Sequence, residues 1–97
     1  MAFRFYKTFP TPNEKREGAN TCEFIILHHT GSGKGTANGV INGLAYRDDF
    51  ASCHFFVDEN GKAYKFGEPT DILFHAGVSS WGLKKDLNRF ALGIEIQ

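Results

Sequence analysis

The chain has 97 residues, 41% of them hydrophobic and 23% charged, and this length allows one domain at most. Eleven Lys and Arg residues balance eleven Asp and Glu residues, so no net charge draws the chain to nucleic acid or to an anionic membrane. No stretch is apolar enough for a signal peptide or a membrane span. We therefore expect a cytoplasmic protein without nucleic-acid or membrane partners. For the same reason Cys22 and Cys53 are expected to be free thiols.

The first half of the sequence predicts an arm, a strand and a helix. Residues 1–20 are polar and read as an irregular N-terminal arm. Residues 21–28 are nearly all apolar toward their end, which is typical of a strand buried on both faces. Thr36 is a fair N-cap for a helix that runs to about Phe50.

The second half predicts a hairpin, a long loop and a final strand. Two short apolar runs, residues 53–57 and 62–66, flank Asn60-Gly61, which is a strong hairpin signal. Residues 67–89 read mostly as loop, and a loop of this length in a compact domain is usually functional. Residues 90–97 alternate as a strand does, with Glu95 on the face of small residues.

This order of elements predicts an α/β (α+β) fold with a mixed central β-sheet flanked by helices. A single domain over residues 1–97 is expected, with the arm at 1–20 and the body at 21–97. Only one clear helix is present, so we expect further chain or self-association to cover the second face of the sheet.

The pair His28-His29 follows the first predicted strand. Neighbouring strand residues point to opposite faces, so one ring can face a cleft while the other faces away. Neutral imidazole is a common zinc ligand, and a strand end holds it rigidly. Taken alone, the pair is more typical of loop histidines that bind nothing.

Three further segments offer chemistry. Glu95, beside small residues, has the room that a general base needs, although it also fits a protective edge-strand charge. In the loop at 74–81, His75 and Trp81 suit the wall of a binding cleft, although a turn with a partly buried Trp explains them as well. His54 is expected to be a buried, hydrogen-bonded histidine and not a ligand.

Together these motifs resemble the zinc amidases of the N-acetylmuramoyl-L-alanine type, which include phage endolysins and peptidoglycan recognition proteins. The resemblance covers about residues 22–97. Four segments carry it in order: Phe24-Ile-Ile-Leu-His-His-Thr30, Ala51-Ser-Cys-His-Phe-Phe-Val57, Phe74-His-Ala-Gly-Val-Ser79 with Trp81, and Asn88 with Leu92-Gly-Ile-Glu-Ile96.

The resemblance implies a role for several residues. His28 matches the first Zn²⁺ ligand, and Glu95 matches the catalytic general base. His75, Trp81 and Asn88 match the substrate-binding loop. The other zinc ligands of the family lie downstream of the segment that ends at Ile96, so one ligand is secure in this chain. Cys53 and Glu95 as substitute ligands are a further hypothesis.

The implied activity is hydrolysis of the amide between N-acetylmuramic acid and L-alanine in peptidoglycan, by zinc-activated water. The alternatives are a module that binds peptidoglycan or muropeptide without cutting it, and an inactive fragment that lacks the remaining ligands. The resemblance fits a cytoplasmic enzyme as well as a phage endolysin that is released to the cell wall.

Overall fold

The computed structural model describes residues 4–9, 17–31, 33, 35–46, 52–76 and 79–97. In these residues the secondary structure follows the chain in this order: β1 (Lys7–Thr8), β2 (Phe24–His29), α1 (Ala37–Tyr46), β3 (Phe55–Val57), β4 (Ala63–Lys65), β5 (Ser80–Trp81), β6 (Lys84–Lys85), a 3₁₀ helix (Leu87–Arg89) and β7 (Ala91–Ile96).

The main sheet has the strand order β1-β4-β3-β7-β2. The last strand, β7, lies between β3 and β2 and runs parallel to both, whereas β3 and β4 are antiparallel. Within the described residues β2 is therefore an edge strand. This mixed sheet with a helix confirms the predicted α+β class.

The hairpin predicted at Asn60-Gly61 is confirmed by the antiparallel pairing of β3 and β4. Gly61 adopts φ +79°, a left-handed conformation that glycine tolerates best. The Asp58 carboxylate holds the turn together, since one oxygen accepts the backbone N–H groups of Asn60 and Lys62, each at 2.9 Å. Its other oxygen accepts the Tyr64 hydroxyl at 2.9 Å.

Helix α1 begins where the sequence predicts, and residues 47–50 of the predicted helix lie outside the described residues. The Thr36 carbonyl accepts the N–H of Val40, as expected of an N-cap, but the Thr36 hydroxyl donates to the Gly33 carbonyl at 2.6 Å. The helix packs on the sheet through a buried core. This core consists of Ile41, Leu44, Ala45, Cys53, Phe56, Tyr64 and Phe66.

The arm is not entirely irregular, as the sequence had suggested. Lys7 and Thr8 pair in parallel with β4, and the ring of Phe9 stacks on Phe66 at 5.5 Å. Two residues are too few to give an alternating pattern, so this strand left no signal in the sequence.

The prediction that the first strand is buried on both faces is wrong for one face of β2. Ile25 and Leu27 are 65% and 64% exposed, because no described element covers them. An apolar run reports the hydrophobicity of a strand but not what packs on it. Covering by self-association or by a further segment stays a prediction. No described helix has the length and apolar character needed to cross a membrane.

Candidate active site

The parallel pairing of β2 with β7 places His28 beside Glu95. Residues in register on parallel strands point to the same face, so the imidazole and the carboxylate share one side of the sheet. His29 points to the other side, is exposed and accepts the Gly31 N–H on Nδ1 at 3.1 Å. The two histidines therefore face opposite ways, as predicted.

Glu95 lies in a partly buried position. Burial raises the pKa of its carboxyl above the ordinary value, and the nearby His28 and His29 act in the opposite direction. A carboxylate whose pKa moves toward neutrality accepts a proton more readily. This environment suits a general base.

His75 lies across the same face of the sheet, over Gly93. A Cβ built at Gly93 would overlap the His75 ring and lie 2.7 Å from its Nδ1, so the absence of a side chain there makes room for the imidazole. The ring ends up next to His28, with His28 Nε2 3.4 Å from His75 Nδ1. Three sequence-predicted residues, His28, His75 and Glu95, are thus brought together.

His75 is only 9% exposed, and its Nε2 donates to the Ala91 carbonyl at 3.2 Å. Burial is the main cause that lowers the pKa of His75 to about 4, and the neighbouring His54 and His28 lower it further. The ring is therefore neutral at pH 7. It forms a rigid part of the site wall.

Asn88 holds the backbone next to the His75 ring through hydrogen bonds. Its Oδ1 accepts the backbone N–H groups of His75 at 3.0 Å and Ala76 at 2.8 Å, and the side chain is 4% exposed. The sequence suggested that Asn88 contacts substrate, and that contact stays a prediction. In the structure the Asn88 Oδ1 instead fixes the backbone of residues 75 and 76.

His54 is fully buried, and the prediction of a buried, hydrogen-bonded histidine is confirmed, whereas its not binding a metal stays a prediction. Its Nδ1 accepts the Gly93 N–H at 3.0 Å, and its Nε2 donates to the Asp71 carbonyl at 2.8 Å. Burial lowers its pKa, although Asp71 opposes the shift. His54 thus holds Gly93, which lies under His75.

Trp81 lies at the other end of this face. Its ring is 70% exposed and 6.5 Å from the ring of Phe24, which is four residues before His28, or about 13 Å along the strand. β5 pairs with β6 as an antiparallel hairpin, and Lys84 of β6 ties this hairpin to the sheet through Glu23 at 3.1 Å and the Phe90 ring at 4.4 Å. The structure therefore does not bring Trp81 to His28 but places it farther along the same face of the sheet.

The described residues do not fit a complete zinc centre. Catalytic zinc normally takes three protein ligands and water, and no three His, Cys, Asp or Glu side chains among the described residues converge on one point. Cys53 is 1% exposed, and burial with the nearby Glu95 charge raises the pKa of its thiol to about 12. A bound metal deprotonates the thiol that coordinates it, so the raised pKa does not decide the matter, and Cys53 and Glu95 as substitute ligands stay a hypothesis.

A separate cavity of about 540 Å³ lies between β1, α1 and the β3–β4 hairpin. Tyr6, Lys7, Asn38, Asn42 and Lys62 contribute to its lining, whereas His28 and Glu95 do not. The candidate site is therefore the sheet face that carries His28 on β2 and Glu95 on β7, and not this cavity.

Comparison with known proteins agrees with this geometry. The chain resembles a selenomethionine derivative of AmpD (TM-score 0.72, 18% identity, covering 93% of this chain and 59% of that one). It also resembles a mutant endolysin from Bacillus subtilis (TM-score 0.68, 26% identity, 92% and 59%) and AmpDh3 from Pseudomonas aeruginosa (TM-score 0.61, 20% identity, 99% and 39%). The chain thus spans about three fifths of the length of the first two.

No curated protein matches the sequence. The family model for N-acetylmuramoyl-L-alanine amidase, in contrast, matches residues 18–97, which contain all of the candidate site residues. The chain belongs to the N-acetylmuramoyl-L-alanine amidase family.

Proposed function

We propose that this chain forms part of a peptidoglycan hydrolase that cleaves the amide between N-acetylmuramic acid and L-alanine. The observation that carries the proposal is the pairing of His28 with Glu95 across β2 and β7, on a sheet face with the exposed ring of Trp81 at its far end. The family match supplies the substrate class.

Glu95 is the proposed general base. Its carboxylate takes a proton from the attacking water and returns that proton to the departing amine of L-alanine, so that the C–N bond breaks as the new C–O bond forms. The raised pKa of Glu95 suits both transfers, because a carboxyl whose pKa lies nearer the working pH can take up a proton and give it back.

His28 is the proposed zinc ligand, and Zn²⁺ is the expected metal of the site. The remaining ligands are not among the described residues, so the steps proposed for this chain involve only its own side chains. His75 and Trp81 are the proposed substrate-contacting residues of this face. About 13 Å along β2 separate His28 from Phe24 beside Trp81, which is long enough for a sugar and the first residues of a peptide stem.

A second candidate function is a module that binds muropeptide without cutting it. The lack of three converging ligands among the described residues favours it, because binding to an exposed sheet face does not require a complete metal centre. The two functions make opposite predictions for one assay.

The test is release of L-alanine amino groups from purified peptidoglycan, with and without added Zn²⁺, by this chain extended to include the remaining zinc ligands. In that protein the Glu95→Gln variant is expected to lose about 10²- to 10⁴-fold in turnover. Glu68→Gln is the matched control, because the Glu68 side chain is exposed and its surface ion pair with Lys65 contributes little. Normal turnover in Glu95→Gln would show that another residue is the base. Binding to peptidoglycan without any release by the extended protein would establish the module.

A further inference from the structure

We propose that the cavity between β1, α1 and the β3–β4 hairpin binds a sugar that carries both an acetamido group and a carboxylate. Its volume is about 540 Å³. Small-ligand sites usually measure roughly 300–1,000 Å³. Neither His28 nor Glu95 lines the cavity, so this site is separate from the candidate active site. The lining side chains that suit such a ligand are Tyr6, Lys7, Asn38, Asn42, Asn60 and Lys62.

Two ammonium groups reach the cavity, from Lys7 on β1 and from Lys62 directly before β4. Both side chains are exposed, and their Nζ atoms lie 5.7 Å and 4.3 Å from the centroid of the Tyr6 ring. The one carboxylate among the described lining residues is that of Asp58, whose two oxygens already accept hydrogen bonds within the hairpin. The lining therefore has one net positive charge, which matches a ligand with a single negative charge such as a carboxylate.

Three asparagine amides surround the same space. Asn38 and Asn42 are four residues apart on α1 and so lie on one face of the helix, while Asn60 lies in the hairpin turn. All three residues are exposed, so their amides are open to a ligand. An amide both donates and accepts hydrogen bonds, which suits the hydroxyl and acetamido groups of a sugar. A simple carboxylate would use the lysines and leave these amides without a role.

The aromatic part of the lining is held in place from below. The Tyr64 hydroxyl donates to Asp58 at 2.9 Å, and the Tyr6 ring meets the buried Tyr64 ring edge-on, with centroids 5.7 Å apart. Tyr6 itself is 54% exposed, which leaves ring surface for the C–H groups of a sugar. The site is thus formed before a ligand arrives, which lowers the entropic cost of binding.

Strand pairing fixes the distance between this cavity and the candidate catalytic pair. One row crosses the five strands in register, through Lys7, Tyr64, Phe56, Glu95 and His28. With about 4.8 Å between neighbouring strands, the backbones of the two end residues are about 19 Å apart. A single sugar cannot fill both sites, whereas a glycan polymer can contact both.

The consequence concerns which part of a glycan the cavity holds. Hydrolysis of the amide between N-acetylmuramic acid and L-alanine leaves a free carboxylate on the sugar, beside its acetamido group. The cavity would then bind a strand that has already been cut, and this second contact raises the effective concentration of the chain near the next stem. This link to the cleaved strand rests on the proposed function, whereas the sugar site itself does not.

The experiment titrates the ¹⁵N-labelled 97-residue chain with N-acetylmuramic acid and follows the backbone amide signals. We expect saturable shifts around Tyr6, Asn38 and Asn60. N-acetylglucosamine has the same ring and acetamido group but no carboxylate, and it should bind about 10-fold more weakly. Lactate has the carboxylate without the ring, and it should bind more weakly than the acidic sugar as well.

Variants of the lining provide the second measurement. Lys62→Gln should weaken binding of N-acetylmuramic acid about 10-fold, and Asn42→Ala about 2- to 10-fold. Lys85→Gln is the matched control, because Lys85 is also an exposed lysine but lies on β6 and does not line the cavity. Its affinity should equal that of the parent chain.

Three results would overturn the inference. The first is equal binding of N-acetylmuramic acid and N-acetylglucosamine, and the second is an equal loss in Lys62→Gln and Lys85→Gln. The third is a set of shifts confined to the surroundings of His28, which would place the sugar at the candidate active site. Sugar binding in the cavity of an extended protein that releases no L-alanine would refute the proposed function alone. Release of L-alanine without binding in the cavity would refute only this inference.

Discussion

The imidazole of His75 lies over Gly93 at the place where any other residue would put its first side-chain carbon. This contact explains why the small-residue face of β7 is the more buried one. Ala91 and Gly93 are buried beneath the segment that carries His75, whereas Leu92 and Ile94 on the opposite face are only partly buried. The small residues of β7 thus leave space for the His75 ring to pack on the sheet.

Gly93→Ala should therefore destabilise the chain, because the added methyl overlaps a ring that cannot move away. We expect a loss of about 1–3 kcal/mol in the free energy of unfolding, measured in urea. Gly39→Ala is the control. Gly39 is exposed in α1 with nothing within 4 Å of a new Cβ, so alanine there should stabilise by about 0.5–1 kcal/mol. Equal effects of the two changes would contradict the packing described for His75.

Asn88→Ala should leave the backbone N–H groups of His75 and Ala76 without their acceptor. Each unsatisfied buried group costs about 1–3 kcal/mol, so we expect a loss of at least 2 kcal/mol in unfolding free energy, about the sum of the lower values. Asn88→Asp keeps an acceptor oxygen and should lose less at neutral pH. If both variants unfold like the parent chain, the amide does not hold the loop.

Lowering the pH should reduce the free energy of unfolding, because His75 binds a proton more readily in the unfolded chain. Its pKa is near 6.5 when unfolded and about 4 when folded, so the unfolded chain binds more protons between these values. The contribution is complete above pH 6.5 and is lost as the pH falls toward 4, by about 3 kcal/mol at most.

Glu95 acts with the opposite sign, since its folded pKa is raised and its contribution is lost as the pH rises. The measurement is therefore a comparison of unfolding free energies of the parent chain and His75→Gln at several pH values. The advantage of the parent chain should shrink from pH 7 to pH 4. A difference independent of pH would contradict the lowered pKa of His75.

The two thiols should react at very different rates. Cys22 is exposed, whereas Cys53 is 1% exposed with a pKa of about 12. Because the thiolate is the reactive form, a thiol reagent should modify one cysteine in the native chain and the second only after unfolding. Cys22→Ser should abolish the fast reaction. A fast reaction that survives this change would place Cys53 at the surface.

Much of this arrangement could be predicted from the sequence, because local patterns determine it. The alternation over residues 90–97 predicted a strand with Glu95 among small residues, and Asn60-Gly61 predicted the hairpin. The opposite orientation of His28 and His29 follows from strand geometry alone. In each case neighbouring residues carry the signal.

The rest depends on contacts between distant residues. Nothing local indicates that Gly93 accommodates His75, although a glycine inside an otherwise regular strand is a known sign of close approach. The exposure of Ile25 and Leu27 was missed because a hydrophobic run does not show whether another element covers it. Asn88 Oδ1 accepts the backbone N–H groups of His75 and Ala76, which lie 13 and 12 positions before it, and no sequence motif indicates hydrogen bonds over that separation.

The position of β7 also affects how the chain folds. Phe24 pairs with Ala91, 67 positions later, so β2 has no described partner strand until nearly the whole chain is available. Closing so long a segment is entropically slow, and contacts of this separation generally form late. His28 and Glu95 become neighbours in the same event. A nascent chain therefore adds β2 to the sheet and forms the His28–Glu95 pair in one step, and a ribosome that stalls before Ala91 leaves only the β1-β4-β3 part of the sheet.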